Sequence, residues 1–213
     1  LAIHPGSGAA VKRWRTAAWR DTVAAISGPD TAVVVTGSRD ELGLATELVE
    51  SLREASGPLP ATRVANLAGL TSIGVMAAVF RRAALVLGPD SGPLHLAVAV
   101  GAPTVHLYGP ADVRRFGPWG PPERHATVVS PLPCAPCGRL DWTDPRDHPC
   151  VRCLTVGRVA STARQVLERS GDTALHLAFP DGLELLEGRP KRNGPQLPQA
   201  GNGLVTLRCL ELP

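Results

Sequence analysis

The chain has 213 residues, 44% of them hydrophobic, which is enough for one substantial core with residues left for an extension. Its formal net charge of +3 is too small to indicate nucleic-acid binding, although it suits an anionic ligand, and its four tryptophans with few other aromatics indicate no nucleic-acid partner. No apolar run reaches the roughly 18 residues of a spanning helix, and the start does not read as a signal peptide, so we expect a cytoplasmic protein. Because the chain begins with Leu1 and its first residues already read as a strand, we also expect it to be a piece of a longer protein.

Six short apolar runs along the chain predict β-strands. They are near-continuous and rich in branched side chains, which is typical of strands buried on both faces of a sheet. In chain order the runs cover residues 1–6, 31–37, 62–68, 84–90, 103–109 and 126–131.

Apolar stripes with a helical period alternate with these runs. The stripes consist of Trp19, Val23 and Ile26, then Leu44, Leu48 and Leu52, and finally Val159, Ala163 and Val166 in a last helix from about residue 154 to 169. The alternation predicts an α/β fold, a doubly wound parallel sheet of the Rossmann-like type. Ligands of such folds bind at the carboxyl ends of the strands.

Residues 171–213 do not continue this pattern, because they are rich in Gly and Pro and hold only short apolar pieces. We therefore expect one domain over residues 1–170, followed by a poorly ordered extension over residues 171–213.

The stretch from Gly88 to Pro110 places polar and flexible residues between two apolar runs. Asp90 and Ser91 fall at the predicted N-cap of a helix, Gly92 allows close approach to the backbone, and His95 follows about one turn later. The free amides and partial positive charge of such a helix start favour phosphate. The alternative is that Asp90 and Ser91 only cap the helix and His95 packs beneath a neighbouring strand.

The first loop, from His4 to Trp14, also follows a predicted strand. Its glycines and lysine fit neither the P-loop nor the dinucleotide fingerprint. What remains is a flexible turn with Ser7 and backbone amides, and Lys12, whose compact charge suits a phosphate oxygen. The alternative for Lys12 is a solvated lysine in a surface turn. Both loops are expected at the same edge of the sheet.

The two loops together resemble glycosyltransferase family 9, the heptosyltransferases that build the inner core of bacterial lipopolysaccharide. The resemblance rests on HPGSG and KRW near the start and on LTSIGVMAAVFRRAALVLGPDSGPLHLAVAVGAPTVHLYGP further on. It covers roughly residues 1–154, and its most specific part is the Asp-Ser/Thr-Gly-x-x-His element. It implies one half of a GT-B glycosyltransferase, namely the C-terminal domain that binds the nucleotide sugar.

This resemblance implies roles for the two loops. Ser7 and Lys12 are expected to bind the diphosphate of an ADP-sugar. The opposite wall of the site is expected to consist of Asp90, Ser91, Gly92 and His95.

The remaining donor contacts follow from the same resemblance. An acidic residue after the second strand is expected near the ribose, and Asp40 and Glu41 are both candidates. Met76 is expected to line the adenine pocket. Ser91 stands where the family usually has Thr, a change that keeps the hydroxyl.

The implied reaction is inverting transfer of a sugar, with ADP-heptose as the expected donor, to a lipopolysaccharide-core or other cell-surface glycan acceptor. No cofactor is expected for this transfer. The partners are the donor, a lipid-linked acceptor and an N-terminal domain that holds the general base. We therefore expect this chain to bind donor without transferring sugar, at a cytoplasmic location that includes the inner face of the inner membrane.

A cysteine-rich stretch covers residues 134–153. Two C-x-x-C pairs, Cys134 with Cys137 and Cys150 with Cys153, are separated by twelve residues, and His148 offers a substitute ligand. Such pairs are typical of a tetrahedral structural zinc site. Reduced thiols in a loop are the main alternative, and disulfides are disfavoured in the cytoplasm.

Two other functions compete with a glycosyltransferase. A nucleotide-sugar epimerase on the same fold requires a carboxylate that activates water. A metal-stapled binding module without activity would hold metal but bind no nucleotide.

Overall fold

The computed structural model of the chain describes residues 1–55, 57, 59–142, 144 and 148–170. Its strands are β1 (Ala2–Ile3), β2 (Val33–Val35), β3 (Val64–Asn66), β4 (Val86–Pro89), β5 (Thr104–Tyr108) and β6 (His125–Val129). Its α-helices are α1 (Thr16–Ile26), α2 (Leu42–Glu54), α3 (Ile73–Arg82), α4 (Gly92–Ala99), α5 (Val113–Phe116), α6 (Pro149–Arg152) and α7 (Val156–Ser170).

The six strands form one parallel sheet in the order β3-β2-β1-β4-β5-β6. Ile3 of β1 lies opposite both Val35 of β2 and Leu87 of β4. The chain therefore winds outward from β1 in both directions, and the order reverses between β1 and β4. This is the doubly wound, Rossmann-like sheet that the alternation of strands and helices predicts. Its ligand crevice is expected at the point of reversal.

Helices cover both faces of the sheet because successive strand residues point to opposite sides. Ile3 belongs to a large apolar core under α1, α2 and α7, and Ala2 belongs to a smaller core with Phe80 of α3 and Leu94 of α4. The predicted helical stripes lie in or against the large core: Trp19, Val23, Leu48, Leu52, Val159, Ala163 and Val166 are buried, and Ile26 and Leu44 are half-buried.

The observed strands are shorter than the predicted runs, and β1 has only two residues. The reason is that the polar and glycine-containing ends of the runs leave the sheet to form loops. Those loops carry the candidate functional residues.

Among the helices of the described residues, none combines the length and apolar character needed to span a membrane. The predicted extension at residues 171–213 lies outside the described residues, so its poor order and the domain limit at residue 170 stay predictions.

Candidate functional site

The loops after β1 and β4 meet where the strand order reverses. Lys12 Nζ donates to Asp90 Oδ2 at 2.9 Å, and Ser7 Oγ donates to the Asp90 carbonyl at 3.2 Å. Ser7 and Asp90 are buried, and the Lys12 side chain is 18% exposed. Lys12 is therefore held in the crevice by a carboxylate rather than solvated in a surface turn.

Helix α4 begins in this crevice. Ser91 occupies its N-cap position, yet neither Ser91 nor Asp90 caps the helix with its side chain: no side-chain cap bond forms, and Lys12 holds the Asp90 carboxylate. The buried Ser91 Oγ has no hydrogen-bond partner among the described residues. A buried hydroxyl without a partner is costly, so this oxygen is available to a bound ligand. Ser91 therefore stands at the predicted N-cap position, but the alternative that Asp90 and Ser91 only cap the helix finds no support in a side-chain cap bond.

Gly92 and His95 complete this wall. A Cβ placed on Gly92 would meet no protein atom within 4 Å, so its backbone borders open space that a ligand can occupy. His95 Nε2 lies 3.9 Å from Asp90 Oδ1, and the His95 side chain is 40% exposed. His95 therefore faces the crevice from one turn inside α4, instead of lying buried beneath a strand.

Glu41 reaches the same crevice from the end of β2. Its carboxylate accepts the Ser38 amide in a capping box and lies 3.8 Å from His4 Nε2. It also lies against Gly6, where a Cβ would come within 2.0 Å of Glu41 Oε1. Asp40 is exposed. Of the two acidic candidates, the structure brings Glu41 to the loop after β1.

His4 and Thr36 form a buried polar pair beneath this loop that the sequence did not single out. His4 Nδ1 and Thr36 Oγ1 are 3.1 Å apart, and the Thr36 hydroxyl also donates to the Ile3 carbonyl. Burial lowers the pKa of His4, while the Glu41 charge opposes that shift. The signal for this pair is the polar residue that ends each of two neighbouring strands.

Met76 has a different environment from the phosphate-facing residues. It is half-buried on α3 and packs against the smaller core, next to Phe80 and Leu94. Two apolar side chains that sequence reasoning missed, Leu70 and Ile73, are 76% and 74% exposed at the start of α3. Unlike Met76, which packs against the smaller core, neither side chain belongs to a hydrophobic core of the described residues.

A row of buried polar side chains runs under His95. The His106 ring lies 5.9 Å from the His95 ring, and its Nε2 is 2.9 Å from Thr104 Oγ1, which is 3.0 Å from His125 Nδ1. Burial, followed by the charges of His95 and His125, lowers the pKa of His106 to about 3. His106 is therefore neutral at pH 7.

The cysteine-rich stretch forms a second cluster. Cys150 Sγ lies 3.8 Å from Cys137 Sγ and 4.0 Å from Cys134 Sγ, and Cys137 Sγ lies 3.7 Å from His148 Nε2. Cys137, His148 and Cys150 offer ligand atoms that all lie within 4.8 Å of one another. Of the four cysteines predicted as ligands, Cys134 and Cys153 are not in this group of three, although Cys134 Sγ lies near Cys150 Sγ; His148 joins Cys137 and Cys150 in it.

These separations fit a tetrahedral metal site and not a disulfide. A disulfide needs about 2.05 Å between sulfurs, and the described cysteines are free. Tetrahedral zinc with ordinary bond lengths separates two sulfurs by about 3.8 Å and a sulfur from an imidazole nitrogen by about 3.6 Å. The separations of Cys137 from Cys150 and from His148 are already close to this spacing.

The protonation of the cluster is set by its surroundings. Burial raises the pKa of the Cys150 thiol to about 12, and its neighbours Cys137 and Cys134 add to the shift. His148 Nδ1 accepts the Cys150 amide, which leaves the proton of a neutral imidazole on Nε2. Metal binding at Nε2 therefore requires that this proton leave and that the bond to the Cys150 amide be given up.

A surface groove also lies elsewhere on the molecule. It has a volume of about 370 Å³ and lies between α1 and α2, lined by Arg20, Asp21, Ala24, Ser51, Glu54 and Ala55. It contains none of the predicted site residues. We place the candidate site at the carboxyl edge of the sheet because the unpaired hydroxyl and the converging charged side chains lie there.

Comparison with known proteins identifies the family of this chain. The sequence model of glycosyltransferase family 9 (heptosyltransferase) matches residues 1–142. Lipooligosaccharide heptosyltransferase 2 of Campylobacter jejuni is 26% identical over 172 residues, which are 80% of this chain and 51% of that protein. The chain thus spans about half the length of the curated relatives that it matches first.

Solved structures share the fold. The Escherichia coli ADP-heptose lipopolysaccharide heptosyltransferase II superposes with a TM-score of 0.63 at 21% identity, over 80% of this chain and 46% of that chain. TibC of enterotoxigenic E. coli, a dodecameric iron-containing heptosyltransferase solved with ADP-D-beta-D-heptose, superposes with a TM-score of 0.56 at 18% identity, over 79% and 45%. These likenesses show the fold, and the match to the family over residues 1–142 shows the ancestry: the chain belongs to glycosyltransferase family 9, the heptosyltransferases.

Proposed function

We propose that this chain is the donor-binding half of a heptosyltransferase and that it binds the diphosphate of an ADP-heptose-like nucleotide sugar between the loops after β1 and β4. The observation that carries the proposal is the Ser91 Oγ at the start of α4, which lies in the same crevice as Lys12 and is buried without a hydrogen-bond partner in the described part of the chain. Helix starts supply free amides and partial positive charge to phosphate, and the hydroxyl adds a donor.

Lys12 has two tasks in this proposal. It neutralises Asp90, whose carboxylate would otherwise repel an incoming anion, and its ammonium has three donors, so that it can hold Asp90 and a phosphate oxygen at once. His95 and Ser7 border the same space, and Gly92 lets the diphosphate approach the backbone.

The residues proposed to contact the ribose and the adenine of the donor are chosen by their positions. Glu41, at the end of the neighbouring strand β2, is proposed for the ribose hydroxyls, because a carboxylate accepts hydrogen bonds from them. Met76 remains a proposal for the adenine pocket.

The same groups would act in catalysis. Departure of a nucleoside diphosphate gathers negative charge at the leaving oxygen while the sugar becomes oxocarbenium-like. Lys12, Ser91 and the α4 amides are preorganised to stabilise that charge, which is the electrostatic form of transition-state stabilisation. The general base for the acceptor hydroxyl is proposed to lie outside this chain, in an N-terminal domain, and the acceptor to be a lipid-linked glycan. The cytoplasmic location, at the inner face of the inner membrane, stays a prediction.

Calorimetric titration of the chain with ADP, ADP-heptose, UDP and UDP-glucose tests donor binding. We expect saturable binding of the two adenine compounds and weaker binding of the uridine compounds. If folded protein binds none of the four, the donor proposal is wrong, and a metal-stapled module without nucleotide binding becomes the better description. The epimerase alternative is set aside because the family is one of glycosyltransferases.

We further propose that the cysteine cluster holds one structural metal ion, with Cys134, Cys137, His148 and Cys150 as its ligands. The donor set of three thiolates and one imidazole is typical of zinc, and thiolates also hold iron. Such an ion would join the 134–142 segment to α6. Elemental analysis of the purified chain distinguishes zinc from iron, and protein that binds neither metal would leave only reduced thiols.

A further inference from the structure

The metal cluster and the phosphate loop are joined by one buried side chain. Trp14 follows the short 3-10 helix Ala10–Lys12, and its Nε1 donates to the Leu154 carbonyl at 3.2 Å. Leu154 comes directly after α6, the helix that contains Cys150. Trp14 is 2% exposed, so this hydrogen bond is shielded from water. Lys12 and Cys150 thus lie at the two ends of a single buried connection.

Residues around the cluster also contact the end of strand β5. The Val151 side chain lies against Gly109, where a Cβ would come within 2.5 Å of Val151 Cγ2. On the other side of the cluster, the Gly138 amide donates to the Pro110 carbonyl at 2.9 Å. α6 and the 134–142 segment thus each contact the end of β5 separately, and a metal ion between them would tie the two contacts together and fix the Leu154 carbonyl that follows α6.

We propose that Trp14 is a positioning residue, through which metal loading of the Cys134, Cys137, His148 and Cys150 cluster raises the affinity of the Lys12 loop for a nucleoside diphosphate. The inference rests on the proposed function of both sites. The physical step is entropic and local. A metal ion in the cluster fixes α6 and the Leu154 carbonyl, and this carbonyl fixes Trp14. Trp14 then holds the 3-10 helix so that Lys12 stays beside Asp90. Less conformational entropy is therefore lost when the anion binds.

Linkage makes the proposal quantitative. If metal raises the affinity for ADP by some factor, ADP must raise the affinity for the metal by the same factor. Couplings between two sites in one protein commonly lie at about 5-fold to 150-fold. We expect a factor of about fivefold or more in each direction.

Trp19 supplies a matched control. Its ring packs edge-on against Trp14 at 5.0 Å, and it is equally buried, but its Nε1 has no hydrogen-bond partner in the described part of the chain. Trp14→Phe removes the indole N–H that reaches Leu154, whereas Trp19→Phe removes an indole N–H that reaches nothing. Both variants lose similar volume from the same core.

The experiment is a calorimetric titration with ADP of zinc-loaded and chelator-stripped wild type, Trp14→Phe and Trp19→Phe, each checked for folding by circular dichroism. In wild type and Trp19→Phe, stripping should weaken ADP binding about fivefold or more. Loaded Trp14→Phe should bind ADP as weakly as stripped wild type, keep its full zinc content, and respond little to stripping. A zinc competition titration of wild type with and without ADP should give the reciprocal factor.

Three results would overturn the inference. Equal ADP affinity of loaded and stripped wild type would leave the donor proposal standing and remove the coupling. Equal loss of affinity in loaded Trp14→Phe and Trp19→Phe would assign the effect to core volume rather than to the Leu154 bond, and this comparison holds even if the stripped protein unfolds. Failure of every form to bind ADP would remove the donor proposal and the inference with it.

Discussion

Lys12 and Asp90 form an ion pair in the crevice, and we expect this pair to determine the affinity of the crevice for an anion. Replacing Lys12 by Ala removes a cation and leaves a nearly buried carboxylate facing the ligand. We expect Lys12→Ala to weaken ADP binding by about 1 to 3 kcal/mol, measured by calorimetry.

A second variant separates the two tasks of Lys12. In Lys12→Ala with Asp90→Asn, the repulsive carboxylate is gone as well. If affinity returns to the wild-type value, Lys12 only neutralises Asp90; if it stays low, Lys12 contacts the phosphate. Unchanged affinity of the single variant would remove Lys12 from the site.

Substitutions of His148 and of Cys153 should affect the metal content of the chain differently. His148 lies beside Cys137, whereas Cys153 is outside the compact group. We expect His148→Ala to lower the bound zinc to well below one per chain, and Cys153→Ser to leave it near one. Cobalt substitution should show the absorption of a three-thiolate site in wild type and in Cys153→Ser. If Cys153→Ser loses the metal and His148→Ala keeps it, the ligands are the four cysteines rather than three cysteines and His148.

His106 gives a pH dependence of stability. Because its folded pKa is about 3, the unfolded chain binds a proton that the folded chain does not, between pH 6.5 and about 3. Stability should therefore fall as the pH falls below 6.5, by up to about 1.4 kcal/mol per pH unit from this group. His106→Gln should flatten this slope in urea unfolding at pH 7.0 and 5.5. An identical slope in the variant would contradict the buried neutral histidine.

At the scale of elements, the turn from β4 into α4 is flanked by two glycines: Gly88 lies in β4, and Gly92 begins α4. A Cβ on Gly88 would lie 2.3 Å from Leu94 Cδ2 and 2.7 Å from the His4 carbonyl, whereas a Cβ on Gly92 would meet nothing within 4 Å. We expect Gly88→Ala to lower the free energy of unfolding by about 1 to 3 kcal/mol, because α4 must move off β4. Gly92→Ala should fold normally but bind ADP at least tenfold more weakly, since the methyl group occupies ligand space. Chemical unfolding and calorimetry on both variants measure the two effects, and normal ADP binding by Gly92→Ala would place the ligand elsewhere.

The sequence alone predicts the strands and helices but not the side-chain contacts between them. Apolar runs and stripes predict the strands and helices because burial on a sheet or helix face needs a fixed period. That Lys12 reaches Asp90 depends on the adjacency of β1 and β4, which are far apart in the chain, and no local period encodes it. The C-x-x-C spacing likewise predicts thiols near one another. It does not show that His148, at the N-cap of α6, turns toward Cys137 while Cys153 ends the same helix.

At the scale of the whole molecule, family membership and coverage have different consequences. The family match shows membership of glycosyltransferase family 9, and the chain spans about half the length of the curated relatives that it matches first. A parallel sheet places its ligand crevice at one edge, so we expect the chain to bind a donor by itself. Transfer additionally needs an acceptor hydroxyl and a base. Among the described residues, the two carboxylates of the crevice already have partners, Asp90 with Lys12 and Glu41 in its capping box, and we propose that the base lies outside this chain.

We therefore expect the chain to bind ADP-heptose saturably and yet to release no ADP from it when a lipopolysaccharide-core acceptor is added. Fusion to the N-terminal half of a heptosyltransferase relative should restore ADP release, because the fused half supplies the base and the acceptor surface. A coupled assay for ADP measures both. The fusion carrying Lys12→Ala is the control, since it keeps the base but weakens the donor site. Steady ADP release by the chain alone, dependent on acceptor, would mean that a base lies within it.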